Sequence, residues 1–256
     1  MTRHDLQYAI TRIQEHMHNP KVEHLNAAHL LLRHINTTKH YKLEFNGKLG
    51  LLPGVEKQME TVQWKGKLPS GEDVSCPVHQ WSIEARDITD ITAYSDSDWA
   101  GDAGTRKSML SIALIAAGAA ITCKARRSKL ICTSSCEAEV DAAVWAMKEA
   151  KYLVGMQRQF RQPPAQWGAA SLPSEISLRI DNQAALTAMT SEQRGRNRHF
   201  DIRQQFLRYE LKVSDFVLSY IGSADNPADG GTKPLDRQAQ LTSARRLLGS
   251  TADLEL

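Results

Sequence analysis

Two aspartates end stretches of alternating polarity, and a glutamate lies on the inward stripe of the helix written between them. Ile91, Ala93 and Ser95 alternate with Thr92, Tyr94 and Asp96, the period of a strand whose polar end arrives at an acidic cluster, Ser95-Asp-Ser-Asp-Trp99. A second strand pattern, Ile176 to Ile180, stops at Asp181. In open α/β sheets ligand sites gather at the carboxyl ends of strands near a switch in strand order, so both aspartates are placed for chemistry. A lone Asp at a strand end is more often a turn or helix cap, and for either residue alone that reading stays open.

The helix pattern runs from about Cys136 to Phe160, with Ala138, Ala142, Ala143, Ala146, Met147, Ala150, Leu153 and Val154 forming a small-residue face for close packing. It opens Ser134-Ser-Cys-Glu137, a capping box in which Glu137 reaches back to the Ser134 backbone. Glu139 is rotated about 200° from Glu137 and shares its side with Ala142, Ala143 and Ala146, the face that presses on a sheet. Burying a carboxylate without compensation costs several kcal/mol, roughly, and a divalent cation shared with other acids is one of the few compensations that hold it ionised. Metal ligation is therefore the preferred role of Glu139. A fourth acid, Asp229, sits in Asn226-Pro-Ala-Asp-Gly-Gly after the last strand pattern, where a plain turn is the competing role.

The elements that must carry these acids are three strands (Ile91 onward, Ser108 to Ala117, Ala120 to Thr133), the long helix, and the strand Ile176 to Ile180. A helix follows from near Asn182, then a charged helix from Asp201 to Lys212, a strand from Phe216 to Ile221 and an Arg-rich helix from Arg237 to Leu248, together a mixed α/β domain. Upstream, Leu6, Ile10, Ile13 and Met17 form one helical stripe and Val22, Leu25, Leu32 and Ile35 another, followed by extended residues 41–45. Gly47, Gly50, Pro53, Gly54, Pro69, Gly71 and Pro77 break residues 46–86 into short pieces, a loop-rich connector with room for a hairpin. The expected organisation is a helical segment over 1–45, a connector over 46–89 and the α/β domain over 90–256.

The 256 residues are 41% hydrophobic, 24% charged and 6% aromatic with a net charge of +3, which supports a sizeable core and excludes a globally polyanion-binding chain. The longest nearly apolar run, Met109 to Ile121, is too short to span a bilayer, and the first residues have no apolar signal region. An intracellular location, cytoplasmic or nuclear, is expected, with no membrane partner. Cys76, Cys123, Cys132 and Cys136 form no CxxC pair, which argues against structural zinc and a disulfide framework. His24, His29 and His34 recur every five residues, which is no helical face, and are expected as scattered surface residues.

Five segments then occur in order: Ala93-Tyr-Ser-Asp-Ser-Asp-Trp-Ala-Gly101, Thr133-Ser-Ser-Cys-Glu-Ala-Glu139, Ile180-Asp-Asn-Gln-Ala-Ala185, Arg198-His-Phe-Asp-Ile-Arg203 and Asn226-Pro-Ala-Asp-Gly-Gly-Thr-Lys-Pro-Leu235. Together they closely resemble the ribonuclease H region of copia-type LTR retrotransposon polyproteins over residues 90–240. Residues 5–43 resemble the end of the reverse transcriptase in the same polyproteins. The resemblance implies a ribonuclease H-like mixed five-stranded sheet flanked by helices, preceded by a small helical segment. It also implies a catalytic and metal-binding quartet in which the family's acids fall on Asp96, Glu139, Asp181 and Asp229, with Asp98 and Glu137 as the nearby misassignments.

The sequence departs from the family where Ser108-Met-Leu replaces an aromatic Ser-Gly-Tyr and where Lys124-Ala-Arg-Arg-Ser-Lys129 replaces Lys-Arg-Gln. Gly230-Gly231 replaces an apolar pair, a change expected to loosen the loop of the fourth acid. The polymerase Tyr-x-Asp-Asp is absent. The implied activity is two-metal hydrolysis of the RNA strand of an RNA–DNA hybrid, with two Mg²⁺ ions and Mn²⁺ as a substitute. Lys124, Arg126, Arg127 and Lys129 form one basic stretch and Arg194, Arg196, Arg198 and Arg203 another; with Asn182 they are the candidate nucleic-acid contacts, although a charge run is more often a solvated face. A polymerase domain of a reverse transcriptase is the implied protein partner. Two rivals remain: an integrase, which orders its acids Asp, Asp, Glu and so fits poorly, and an inactive or domesticated remnant that binds nucleic acid or protein without cutting.

Overall fold

The computed structural model describes residues 3–45, 58–67, 73–82, 91–161, 176–190, 198–213 and 216–249. Helices α1 (Gln7–Gln14) and α2 (Val22–Thr37) come first, and strands β1 (Gln58–Lys67) and β2 (Asp73–Ser82) pair antiparallel as a separate two-stranded sheet. The connector therefore carries the hairpin for which its sequence left room. A five-stranded sheet follows, built from β3 (Ile91–Asp98), β4 (Met109–Ala116), β5 (Ala119–Arg127), β6 (Ile176–Ile180) and β7 (Phe216–Tyr220) in the order β5-β4-β3-β6-β7. β3 pairs antiparallel with β4 and parallel with β6, and β6 pairs parallel with β7. The chain thus turns from hairpin pairing to crossover pairing at the β3–β6 junction, which brings the ends of these two strands together.

Side-chain burial distinguishes the central strand β3 from its neighbour β4. In β3, Ile91, Ala93 and Ser95 are buried while Thr92 and Tyr94 are only half-buried, whereas seven of the eight residues of β4 are buried, so that strand is covered on both faces. One cover is α3 (Ser135–Arg161), whose Ala138, Ala142, Ala143, Ala146 and Ala150 are fully buried and let the helix axis approach β3 and β4 closely. Ile91, Ile112, Leu114, Val140, Met147, Leu178 and Ile180 fill that side of the core, which α4 (Gln183–Thr190) and α5 (Arg198–Val213) close. The other cover is α6 (Arg237–Leu248), whose Leu247 packs with Ala113, Ala120, Cys123 and Ala228. The β4–β5 connection is a two-residue turn, Ala117 and Gly118, both at positive φ, the geometry that matches strand twist and for which glycine pays no steric penalty.

The structure differs from the sequence reading in several boundaries. β5 stops at Arg127 rather than Thr133, because Ser128 turns inward: its amide donates to the Ser108 carbonyl and its hydroxyl to Asp141. Residues 41–45, expected to be extended, join no strand and are tied down by the Glu44 amide on the Leu248 carbonyl. α1 ends at Gln14, leaving Met17 exposed, and α2 buries none of its residues, with Val22, Leu25 and Leu32 exposed. The residues before α1 and after α2 do reach the domain: Leu6 is buried, Tyr41 packs with Ala244 and Leu248, and the Gln240 amide donates to the Asp5 carbonyl. Among the described residues no helix is long and apolar enough to cross a membrane.

Candidate active site

Three of the four sequence-derived acids meet. Asp96 lies near the end of β3, Asp181 directly follows β6, and Glu139 stands in the second turn of α3, where the buried alanine face crosses these strand ends. Their ligand oxygens lie within 4.8 Å of one another, the one such group of histidine, cysteine or acidic side chains among the described residues. Asp96 and Glu139 are buried and Asp181 is half-buried.

Two of the three acids, Glu139 and Asp96, are oriented by neighbours to which the sequence alone assigned no role. The amide and hydroxyl of Ser97 both donate to Glu139 Oε1, at 3.2 and 2.7 Å, which leaves the buried Oε2 with no partner among the described residues. The Thr232 hydroxyl donates to Asp96 Oδ2. Asn226 pins the loop of the fourth acid beneath β3, its Nδ2 donating to the Ser95 carbonyl at 2.9 Å while its Oδ1 accepts from the Ala228 amide. The available signals were local: Ser97 directly follows Asp96, and Thr232 and Lys233 sit three and four residues after Asp229.

Asp229 begins a short 3-10 turn, Asp229–Gly231, and stands outside the group of three; its Oδ1 is 2.5 Å from Lys233 Nζ. The glycine pair does not loosen this loop, contrary to expectation. A Cβ on Gly231 would lie 2.1 Å from Ser111 Oγ and one on Gly230 2.5 Å from Ser243 Oγ, so hydrogen at these positions is what lets the loop press against β4 and α6.

Burial sets the electrostatics. It raises the Asp96 carboxyl to about 7, the Thr232 hydrogen bond opposing and the charges of Asp181 and Asp229 assisting. Glu139 is pushed up to about 8, again mainly by burial and then by Asp96, against the bonds from Ser97. Two buried carboxylates that resist ionisation, an unpartnered oxygen and an all-oxygen donor set fit a hard divalent cation, which would relieve both the repulsion and the missing partner.

The nearby acids are accounted for separately. Glu137 Oε2 accepts from the amide and hydroxyl of Thr133, one residue before the expected Ser134, while the Glu137 amide donates to Ser134 Oγ, so it caps α3. The Asp98 carboxylate lies against Gly101, where a Cβ would meet it at 1.9 Å, rather than in the cluster. Of the candidate nucleic-acid contacts, Lys124 pairs with Glu149, Arg127 with both Glu15 and Asp102, and Arg126 stacks 4.1 Å over the Trp145 ring. Lys129 is exposed, Arg203 lies 3.6 Å from Asp141, Asn182 caps α4 through the Ala185 amide, and Arg198 is the first residue of α5. Arg194 and Arg196 lie outside the described residues.

A mixed sheet of this order, with acids from the first strand, the covering helix and the fourth strand converging, defines a ribonuclease H-like domain. No family model matches the chain. By sequence the chain is similar to retrovirus-related Pol polyproteins of transposons. The polyprotein of transposon TNT 1-94 from Nicotiana tabacum is 25% identical over 237 residues, 92% of this chain and 14% of the polyprotein. That of transposon RE2 from Arabidopsis thaliana is 22% identical over 251 residues, 96% of this chain and likewise 14% of the polyprotein. The chain therefore spans about one seventh of the length of these relatives. Among solved structures, ribonuclease H1 from the archaeon Halobacterium salinarum aligns with a TM-score of 0.39 at 17% identity, covering 54% of this chain and 90% of that one.

Proposed function

We propose that the chain is a divalent-cation-dependent nuclease that hydrolyses the RNA strand of RNA–DNA hybrids, acting as one module of a retrotransposon polyprotein. The observation that carries this reading is the convergence of Asp96, Glu139 and Asp181 within 4.8 Å, two of them buried, at the ends of adjacent parallel strands. Kinship with retrovirus-related Pol polyproteins supports the hybrid as substrate, and the 2′-hydroxyl is the group by which the RNA strand is told from DNA.

Asp96, Glu139 and Asp181 would hold the cations, Mg²⁺ first and Mn²⁺ as substitute, with Asp229 as the fourth acid. When bound, such ions supply an activated water and neutralise the charge on the leaving 3′ oxygen. The chain's own part is to hold acceptors ready: Ser97 fixes one oxygen of Glu139 and leaves the other open, and Thr232 orients Asp96. No side chain need act as nucleophile. Lys129, Arg198 and Asn182 are the proposed phosphate contacts, and Lys124, Arg127 and Arg203 join them only by leaving their carboxylates.

The test is cleavage of a hybrid labelled on its RNA strand, with Mg²⁺, with Mn²⁺ and with chelator, using the wild-type chain and Asp96→Asn. Metal-dependent cleavage lost in the variant supports the reading. Hybrid binding without cleavage by folded wild-type protein in either metal supports instead a remnant that binds and does not cut.

A further inference from the structure

Lys233 has no role in the chemistry above, yet its ammonium group sits inside the site. Nζ is 2.5 Å from Asp229 Oδ1, and Asp96 and Asp181 act on the same ammonium at longer range. The base of the side chain is fixed. Thr232, the residue before it, bonds to Asp96, and Pro234, the residue after it, disfavours helical backbone at Lys233. Gly230 and Gly231 are wedged against Ser243 and Ser111, so the loop has little freedom to carry Asp229 elsewhere. The Lys233 side chain itself is 49% exposed, against 17% for Asp229, so the ammonium has a solvent route away from the acid while the acid stays in place.

We propose that Lys233 is a built-in counter-cation: it holds the metal-facing charge of Asp229 neutralised in the free protein, and releases the acid when a nucleic-acid phosphate draws the ammonium outward. This rests on the nuclease reading and adds the order in which the site is filled. Asp96, Glu139 and Asp181 are gathered without Lys233 and take the first cation. A second cation that needs Asp229 competes with a tethered positive charge, and so is bound weakly until substrate supplies a better partner for the lysine. A fixed positive charge a few ångströms from an acceptor weakens cation binding there by about tenfold or more even when solvent screens it. A lysine is suited to this exchange because its compact charge rides on a flexible stem and bonds a carboxylate or a phosphate equally well. Lys233 on this account acts twice, on Asp229 in the free protein and on a substrate phosphate once it is drawn outward.

The experiment titrates the full chain with Mn²⁺ in the absence of nucleic acid, reading free ion by electron paramagnetic resonance, for wild type, Lys233→Met, Lys233→Arg and Lys42→Met. Lys42 is the control because it pairs with Glu44 on the surface, away from the site. The expected result is one well-bound ion in wild type, Lys233→Arg and Lys42→Met, and a second ion at least about tenfold tighter in Lys233→Met. Matching second-ion affinity in wild type and Lys233→Met overturns the proposal, provided both bind the first ion. Lys233→Arg separates loss of charge from loss of fold, because it keeps the charge at the same place. If wild type binds no ion that Asp96→Asn loses, the nuclease reading fails instead. The release step is read by hybrid binding in chelator across salt concentrations, where Lys233→Met should flatten the slope of log affinity by about one phosphate contact. An unchanged slope would confine the lysine to pairing with Asp229 and overturn its handover to substrate.

Discussion

Asp96, Glu139 and Asp181 project from two strand ends and a helix, and their positions are consequences of the same packing that builds the core. Asp229 comes from a loop whose place depends on a few specific contacts: the Asn226 side chain under β3, two glycines against serines, and a lysine on the carboxylate. The first three acids are held together at an electrostatic cost, with Asp96 raised to about 7 and Glu139 to about 8, whereas the fourth is paired. The difference separates two ways of building a charged site. Secondary structure can force like charges together and leave a cation to complete them; a loop satisfies its acid internally and must be asked to give it up.

The sharpest way to break this contrast is to remove charge from the first group. Asp96→Asn or Glu139→Gln should lower hybrid cleavage by about 1000-fold or more, on the order of 4 kcal/mol in the barrier, with the folded fraction checked by circular dichroism. The same changes should raise the stability of the metal-free protein, since each deletes one of the crowded buried charges. Near-normal turnover in either variant takes that residue out of the site and dissolves the contrast at its strong end.

How far the sequence reached follows the same division. Period-two alternation in β3 and the alanine stripe of α3 are short-range patterns, so the positions of Asp96 and Glu139 could be read from them directly. Asp229 was recoverable only through the resemblance, because a loop has no period and its contacts to Ser95, Ser111 and Ser243 span large sequence separations. The same limit misjudged Gly230-Gly231: two glycines look like freedom in a sequence, and only the serines opposite reveal close approach. The apolar stripe of α2 was legible as a pattern, yet none of its residues is buried, since periodicity says which face is apolar and not what covers it.

The loop end of the contrast can be tested by crowding. Gly231→Ala places a methyl against Ser111 in a buried position and should cost roughly 1–3 kcal/mol in chemical denaturation, with turnover falling as Asp229 is displaced. Combining it with Ser111→Gly should recover part of the loss, a coupling that independent sites would not show. Additive effects would mean that the loop is not seated by this contact.

A pH series sharpens the electrostatic half. Because Asp96 and Glu139 titrate higher in the folded chain than in the unfolded one, the folded state holds more protons between about pH 4 and pH 8. The stability of the metal-free protein should therefore fall as pH rises through that window. Mg²⁺ replaces the lost protons, so the rise in Tm on adding it should be larger at pH 8 than at pH 5.5, by a few degrees if the difference is about 1 kcal/mol. An equal Mg²⁺ effect at both pH values would mean that the ion does not bind at these two carboxylates.

The smallest expected effect is at the glutamate two residues before the site. Glu137 is as buried as Glu139 and belongs to the same helix turn, so burial and sequence proximity alone would assign the two the same importance. Their contacts say otherwise. Glu137 is satisfied by two donors of Thr133 at 2.7 and 2.9 Å, while Glu139 keeps a buried oxygen without a partner among the described residues. Glu137→Gln retains a side-chain oxygen that can accept from Thr133, so it should cost no more than about 1 kcal/mol of stability and leave Mn²⁺ affinity and cleavage within a few-fold of wild type. Glu139→Gln has no such substitute, because what it removes is the negative charge that would meet the ion. Measuring both variants by denaturation and metal titration sets a capping carboxylate against a ligating one two residues apart. Loss of metal affinity in Glu137→Gln as deep as in Glu139→Gln would exchange their roles, and with them the orientation of α3 on which the placement of the first three acids depends.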